Sequence, residues 1–222
     1  MRMVFWTLVL CLVTFSFPAT ASVSVNQAGW NKHKTVLLST SKRTDVNMMD
    51  LVILASIEST MGQNRHNRSS SAAGLFGFTD STWRVMVKRY GKQYGIRPGT
   101  SKQNPRANAL MAAEYIKENQ RYLEKQLHRK VGIEEIYMAH LLGPGDAVKI
   151  LKARNNRYAS SVTPSAARGN KAFFYDKGRA RTVAGFKQYV HSKVNSHRKA
   201  YKSEVVLLAY KHQLPLTLAD AT

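Results

Sequence analysis

The sequence predicts a mainly α-helical protein, and three stretches carry that prediction. Residues 46–57 are apolar on nearly every side, which is typical of a helix buried in a core. Thr79 precedes a second helical pattern as an N-cap, and Asn104 with Pro105 opens a third. The 222 residues suffice for one sizeable core, and the sequence contains no internal repeat and no linker between domains. We therefore expect one domain.

The amino terminus has the three parts of an export signal. Arg2 supplies the positive charge, residues 4–17 are apolar, and residues 19–21 (ATA) are small enough for cleavage. We expect cleavage after Ala21, which makes residues 1–21 a signal peptide and places the mature protein in the periplasm or cell envelope. An uncleaved anchor is the alternative. Cleavage would also remove Cys11, the only cysteine, so the mature chain would contain no disulfide.

Residues 22–44 are polar and basic, and we expect an extended lead-in there. Thr44 or Asp45 at its end can cap the buried helix. Glu58 falls in the last turn of that helix, before Gly62. The negative end of the helix dipole and the apolar helix body both disfavour an ionised carboxylate there, which suits a proton donor. Arg65, His66 and Arg68 follow and could offset this effect, and a carboxylate that simply turns into solvent is the alternative interpretation.

A strip of small and aromatic residues follows at 69–79, with the sequence SSSAAGLFGFT. Gly74 and Gly77 allow the backbone to pass close to another group, while Leu75, Phe76 and Phe78 pack beside it. A carboxylic acid that faces such a strip suits a sugar polymer, because sugar rings offer apolar faces and many hydroxyl groups.

The next predicted helix runs from the N-cap Thr79 to about Tyr90. Phe78 before the cap and Trp83 four residues after it form a hydrophobic staple. Residues 95–103 indicate a loop, and a long helix begins at Pro105. The buried stripe of that helix comprises Ala109, Ala112, Ala113, Ile116, Leu123 and Leu127.

Helices are also expected in the carboxyl-terminal half. One begins at Glu134, and Gly143 separates it from a second helix that runs from Pro144 to Leu151. Thr163 opens a short capped turn. The apolar positions then predict a helix near 182–194 with a basic outer face, and a terminal helix at 205–210.

Several polar side chains on these helices are candidates for a site, and each has a structural alternative. Tyr90 continues an apolar face, so core packing is its alternative. Glu114 and Glu118 lie four residues apart among lysines, and the alternative for both is a solvated helix face. For Glu114 we expect that solvated face. Tyr137 and His140 project from one face, although a lone helical histidine is more often a core residue than a ligand or base. No metal-binding spacing occurs, so we expect no metal and no cofactor.

The net charge of +21 indicates an acidic partner, and it falls to +20 once Arg2 is removed. Cell-wall polymer, membrane surface and nucleic acid all qualify, but an export signal makes nucleic acid unexpected. Residues 168–202 are the most basic part, so Arg179, Arg181, Lys187 and Lys193 are expected to bind the wall. Solubility with weak adhesion is the alternative explanation of the charge.

The order of these motifs resembles the lytic transglycosylase and goose-type lysozyme superfamily. That pattern is a helix that ends in Glu-Ser, a polar loop and a Gly-Leu-Met-Gln-like strip, matched here by Glu58-Ser59 and by residues 74–78. Gly77 stands where the superfamily has glutamine. Residues 137–145 (YMAHLLGPG) stand where it has Ala-Tyr-Asn-Ala-Gly-Pro-Gly, with His140 at the tyrosine position. This variant is most similar to the bacteriophage tail-lysin and endolysin branch.

The resemblance implies a lysozyme-like domain over residues 45–195, followed by a basic carboxyl-terminal extension at 196–222. It implies cleavage of the β-1,4 bond between N-acetylmuramic acid and N-acetylglucosamine, with 1,6-anhydromuramic ends as products. Glu58 would be the catalytic acid. The residues expected to bind substrate are Tyr90, Glu118, Tyr137, His140, Phe76 and Gly77. The expected partners are peptidoglycan strands and an envelope machine such as a secretion system or pilus, and we expect a monomer.

Two other functions stay open at this point. A true peptidoglycan hydrolase would need a second carboxylate or a held water, and Glu118 is the candidate. A cationic envelope-binding protein without turnover is the alternative outside the enzyme class, and Gly77 in place of glutamine favours it. The intact Glu58-Ser59 pair and the set of Tyr90, Glu118 and His140 favour catalysis.

Overall fold

A computed structural model describes residues 23–63 and 71–213. The predicted signal peptide and the loop cations Arg65, His66 and Arg68 lie outside the described residues. The described chain is mainly helical, as predicted. Its helices are α1 (Gln27–Thr44), α2 (Met48–Ser59), α3 (Asp80–Tyr90), α4 (Pro105–Leu127), α5 (Ile133–Leu142), α6 (Pro144–Lys152), α7 (Ala159–Val162), α8 (Pro164–Gly169), α9 (Lys171–Phe174) and α10 (Val183–Lys211), with a 3-10 turn at Lys92–Tyr94.

Helix α2 lies at the centre of the core, as its apolar sequence predicts. Leu51, Val52 and Ile53 are fully buried, and helices α1, α4 and α10 pack around them. The side chain of Asn47 caps the helix by accepting hydrogen bonds from two backbone N–H groups of the first turn. The predicted cap at Thr44 or Asp45 is therefore wrong, because Asp45 takes a left-handed conformation as the C-cap of α1.

Residues 22–43 were expected to be extended, but most of them form α1, so that prediction is wrong. Asn26 caps the helix and accepts a hydrogen bond from the Gly29 N–H at 3.1 Å. Trp30, His33 and Leu37 are buried at helical spacing, and α1 packs against α4 and α2. The Trp30 ring also meets the Tyr201 ring of α10, with centroids 5.9 Å apart. Polar residues interrupt this stripe, so its burial becomes evident only when the neighbouring helices are present.

The starts of α3 and α4 are as predicted. Thr79 Oγ1 accepts from the Thr82 N–H at 3.4 Å, and the Phe78 and Trp83 rings meet edge to face with their centroids 5.6 Å apart. Asn104 Oδ1 accepts from the Ala107 N–H at 3.0 Å, with Pro105 as the first helical residue. These local signals suffice because the cap and the first turn lie within a few residues of each other.

The carboxyl-terminal helix differs from the prediction. Instead of separate helices near 182–194 and 205–210, α10 runs without a break from Val183 to Lys211. One buried stripe explains its length: Val190, Val194, His197, Tyr201 and Val205. The stripe packs chiefly on α2, so residue 195 does not mark a structural boundary.

The small elements before α10 complete the described fold. Strands β1 (Tyr175–Asp176) and β2 (Arg179–Ala180) form an antiparallel hairpin beside α9. In the described parts of the chain, none of the helices combines the length and apolar character needed to cross a membrane.

Candidate active site

Glu58 lies in the last turn of α2, with about a fifth (21%) of its side chain exposed. The neighbouring Ser59 holds this helix end in place. Its buried hydroxyl donates to Leu75 O at 2.8 Å and accepts from the Gly62 N–H at 2.8 Å. Ser59 thus ties the end of the central helix to the glycine-rich strip, which explains why a serine follows the glutamate.

The strip is fastened from its other side by α4. Asn108 Oδ1 accepts from the Phe76 N–H at 2.8 Å, and Asn108 Nδ2 donates to Lys102 O at 2.7 Å. The strip then passes Glu58 at Gly77, where φ is +61°. A Cβ atom at position 77 would lie 3.0 Å from Glu58 Oε2. The backbone therefore forms one wall of the site at a distance that a side chain would disturb.

His140 on α5 is the second side chain at the Glu58 carboxyl group. Its Nε2 lies 3.5 Å from Glu58 Oε1. Burial by itself lowers the pKa of His140, but the attraction and hydrogen bond of Glu58 outweigh burial, so the pKa is raised above its ordinary value. The ring stacks on Tyr137 and meets Tyr115 edge to face, with centroids 6.5 Å and 5.7 Å away.

Tyr90 and Glu118 form a second contacting pair. The Tyr90 hydroxyl donates to Glu118 Oε1 at 2.7 Å, and Arg89 donates to the same oxygen at 2.8 Å. Burial and the bond to Glu118 raise the pKa of Tyr90. The sequence-predicted set thus divides into two contacts, Glu58 with His140 and Tyr90 with Glu118.

A groove with a volume of about 590 Å³ lies along the second pair. Its lining includes Tyr115, Glu118, Asn119, Arg89 and Tyr122. Glu58 is not part of this lining, but the Tyr115 ring contacts His140, which contacts Glu58. The Tyr115 ring therefore connects the groove to the contact between His140 and Glu58.

Two residues predicted to bind substrate are buried, which corrects that part of the prediction. The Phe76 side chain is 1% exposed and belongs to the core. Tyr137 is 2% exposed, and burial and the nearby Glu58 raise its pKa. Neither side chain is accessible to a polymer, so Tyr137 contributes by packing against the His140 ring and not by binding substrate.

Glu114 does not lie on a solvated face. It is buried, accepts a hydrogen bond from the Tyr94 hydroxyl and pairs with Lys117 at 2.7 Å. The prediction was wrong because α4 turns this face toward Tyr94, which comes from a loop that the spacing of α4 does not reveal.

Asn119 adds a buried amide beside the groove. It is 2% exposed, and its Nδ2 makes no hydrogen bond within residues 23–63 and 71–213. A buried donor without a partner is unusual in a folded protein. Because the amide is as buried as Tyr137, a glycan oxygen can reach it only if the groove wall shifts on binding.

Lys193 on α10 was predicted to bind the wall, but its charge interacts with Glu58, and the sequence did not indicate this place at the site. Burial lowers its pKa, and the carboxylate of Glu58 opposes that effect. Its Nζ lies 5.9 Å from the centroid of the Phe173 ring, which in turn contacts Tyr137. The available signal was its place between Val190 and Val194 on the buried stripe, where a lysine is out of pattern.

No group of three or more histidine, cysteine, aspartate or glutamate side chains in the described residues is arranged to hold a metal ion.

Residues 36–163 match the family model described as Transglycosylase SLT domain. The match covers more than half of the 222 residues, and it includes Glu58, Tyr90, Glu118 and His140. Lys193 lies beyond it.

Proposed function

Because the chain belongs to the SLT-domain transglycosylase family, we propose that it is a lytic transglycosylase of peptidoglycan. It cleaves the β-1,4 bond between N-acetylmuramic acid and N-acetylglucosamine and leaves 1,6-anhydromuramic ends. The observation that carries the proposal is the position of Glu58: a carboxyl group at the end of a buried helix, against a bare backbone wall, with His140 Nε2 at 3.5 Å.

One carboxyl group suffices for this reaction. Glu58 donates its proton to the glycosidic oxygen, and the bond from that oxygen to the anomeric carbon breaks with its electron pair on the oxygen. The Glu58 carboxylate then takes the proton of the muramic C6 hydroxyl group, whose oxygen bonds to the anomeric carbon. The acid is regenerated, and no water enters the product.

His140 is the positioning partner in this scheme. Its attraction to Glu58 is strongest when the imidazole is protonated and the carboxylate is ionised, and the first proton transfer produces that ionised carboxylate. Tyr137 and Tyr115 hold the ring from two sides. The second proton transfer therefore begins from a carboxylate that is already held in place.

The engagement of Glu118 supports a transglycosylase over a hydrolase. A hydrolase needs a second carboxylate as nucleophile or as base for water. Oxygen Oε1 of Glu118 already accepts from both Tyr90 and Arg89. Glu118 is better placed to shape the groove that it lines, beside the buried amide of Asn119.

The finer assignments are also proposals. The export signal predicted at residues 1–21 supports action in the periplasm or cell envelope, where a secretion system or pilus would need local wall opening. The contacts of His140 with Glu58 and of Tyr90 with Glu118 support membership of the bacteriophage tail-lysin and endolysin branch, in which a tyrosine, a second glutamate and a histidine accompany the catalytic glutamate.

Mass analysis of the muropeptides released from purified peptidoglycan tests the proposal. A transglycosylase releases products that are one water lighter than those of a hydrolase and have no reducing muramic end. Reducing ends from the wild-type protein would mean that water is the nucleophile, with Glu118 as the candidate base. No release at all would leave the cationic binding protein as the function.

A further inference from the structure

A second concave site lies on α3, facing away from the groove. It is a cavity of about 870 Å³, which we call the basic pocket. It is lined by Trp83, Arg84, Val87, Lys88, Lys92, Gly95, Ile96, Arg97, Pro98 and Gly99. Arg84 and Lys88 lie one turn apart on α3, whereas Val85 and Arg89, about 100° further around the helix, line the groove. Helix α3 thus separates the two sites.

The floor of the basic pocket is apolar and well anchored. Trp83, Val87 and Ile96 are each at most 7% exposed. The indole Nε1 of Trp83 donates to Thr100 O at 2.9 Å, which fastens the loop that forms the far wall. Because the floor is held by the core, the pocket exists before any ligand arrives.

The rim of the basic pocket is cationic. Arg84, Lys88, Lys92 and Arg97 are exposed, and within the described residues none of them makes a salt bridge. The lining contains no acidic residue. Asp80 is the nearby acid whose charge acts on Arg84, and it is paired with Lys102.

Two of the cations that the sequence predicted to bind the wall differ from those of the rim. Arg181 pairs with Asp176 at 3.6 Å and lies over the Tyr189 ring at 4.4 Å. Lys187 donates to Leu151 O at 3.3 Å. Arg181 and Lys187 therefore hold the hairpin and α10 in place, whereas Arg179 is exposed like the rim cations but does not line the basic pocket.

We propose that the basic pocket binds the acidic stem peptide of a peptidoglycan strand whose glycan lies in the groove. This inference rests on the proposed function. A helix with its side chains is about 10–12 Å across. An extended peptide spans about 3.3–3.6 Å per residue, so a four-residue stem peptide reaches across α3. Its carboxylates then meet the rim cations, and its short aliphatic side chains rest on Trp83 and Val87.

Calorimetric titration of the purified full chain with a stem peptide tests this binding directly. The peptide is released from sacculi by an amidase, so it carries no sugar and does not depend on turnover. The variant Arg84→Gln, Lys88→Gln, Lys92→Gln should bind it roughly ten-fold more weakly, because each exposed ion pair contributes modestly. The matched variant Lys125→Gln, Lys152→Gln, Arg154→Gln loses the same charge elsewhere and should bind within about two-fold of wild type.

Cleavage assays add the second measurement. The pocket variant should need a higher concentration of glycan strands that carry stem peptides, and it should act like wild type on strands stripped of them. Equal loss with both charge variants, or no binding of the peptide by the wild type, overturns the proposal. Binding to vesicles of anionic lipid in preference to the peptide overturns it as well. If the wild type binds the peptide but cleaves neither strand, the proposed function fails and the pocket assignment stands.

Discussion

The backbone of Gly77 lies directly against the carboxyl group of Glu58, so that a Cβ atom at position 77 would stand 3.0 Å from Glu58 Oε2. The superfamily pattern has glutamine at this position. In this chain the left-handed backbone at Gly77, with φ of +61°, brings the strip to the acid without a side chain between them. The glycine therefore sets the position of the carboxyl group from one side, while His140 sets it from another.

Gly77→Ala should lower the turnover of wall cleavage by at least about ten-fold, since misplacing a catalytic group by about 1 Å has effects up to about 10²-fold. Gly178→Ala is the matched control. Gly178 also has a left-handed φ, +81°, but nothing lies within 4 Å of its Cβ position, and it lines neither the groove nor the basic pocket. Both variants should lose roughly 1–2 kcal/mol of stability from the left-handed backbone. Equal activity in the two variants would contradict the proposed contact.

Glu58→Gln should reduce wall cleavage by at least the roughly 10²–10⁴-fold that acid–base help contributes. The change is nearly isosteric, so the melting temperature should change little. Glu118→Gln is the comparison: it should slow the reaction but leave the 1,6-anhydro product unchanged. Full activity in a folded Glu58→Gln protein would mean that another residue is the catalytic acid, with Glu118 as the first candidate.

Asn119→Leu tests whether the free amide in the groove serves the substrate. The leucine has a similar volume and removes a buried unpaired donor, which should preserve stability or raise it by about 1 kcal/mol. The substrate concentration for half-maximal cleavage of soluble glycan should rise, because a sugar acceptor loses its partner. An unchanged value would mean that Asn119 makes no bond to the glycan.

Lys193→Met should lower the turnover of wall cleavage, although by less than the loss of Glu58 itself. The charge of Lys193 interacts with Glu58, so it stabilises the carboxylate that remains after Glu58 has donated its proton. Lys193→Arg keeps the charge and should retain wild-type turnover. Lys199→Met, which removes an exposed lysine of the same helix, should retain it as well. Equal losses of turnover in Lys193→Met and Lys199→Met would exclude a specific role of Lys193.

His197 should make the fold sensitive to mild acid. It is buried on α10 with Nδ1 2.7 Å from Ser56 Oγ, and burial, followed by the charge of Lys193, lowers its pKa to about 4. The unfolded chain binds this proton near pH 6.5 and the folded chain only near pH 4. Stability therefore falls as the pH drops through that window, by roughly 2 kcal/mol after allowance for solvent screening.

Thermal melts from pH 7 to pH 4 measure this effect. His197→Asn keeps a partner for Ser56 but cannot be protonated, so its stability should fall less across the window than that of the wild type. His212→Gln removes an exposed histidine and should retain the wild-type dependence. If the stability of His197→Asn falls with pH as steeply as that of the wild type, carboxylates alone account for the acid sensitivity.

Much of the site could be predicted because its signals are local. The Glu58-Ser59 pair ends an apolar helix, and Gly77 follows in a strip whose small residues indicate close backbone approach. His140 was placed on the right helix face by its spacing from Tyr137. The resemblance brought Glu58, Tyr90, Glu118 and His140 into one set, but only the structure divided them into the contacts of Glu58 with His140 and of Tyr90 with Glu118, because these groups are far apart in the chain.

The sequence by itself determined the helices whose caps and apolar stripes lie within one segment: α2, α3, α4 and the break at Gly143. These signals act over a few residues, so they do not depend on the rest of the fold. Only the tertiary structure decided that residues 27–44 are helical, that Glu114 is buried, and that Lys193 faces Glu58. The physical reason is that partial apolar stripes and buried charges are stable only against a partner surface, here α4, Tyr94 and α2, which comes from distant parts of the chain.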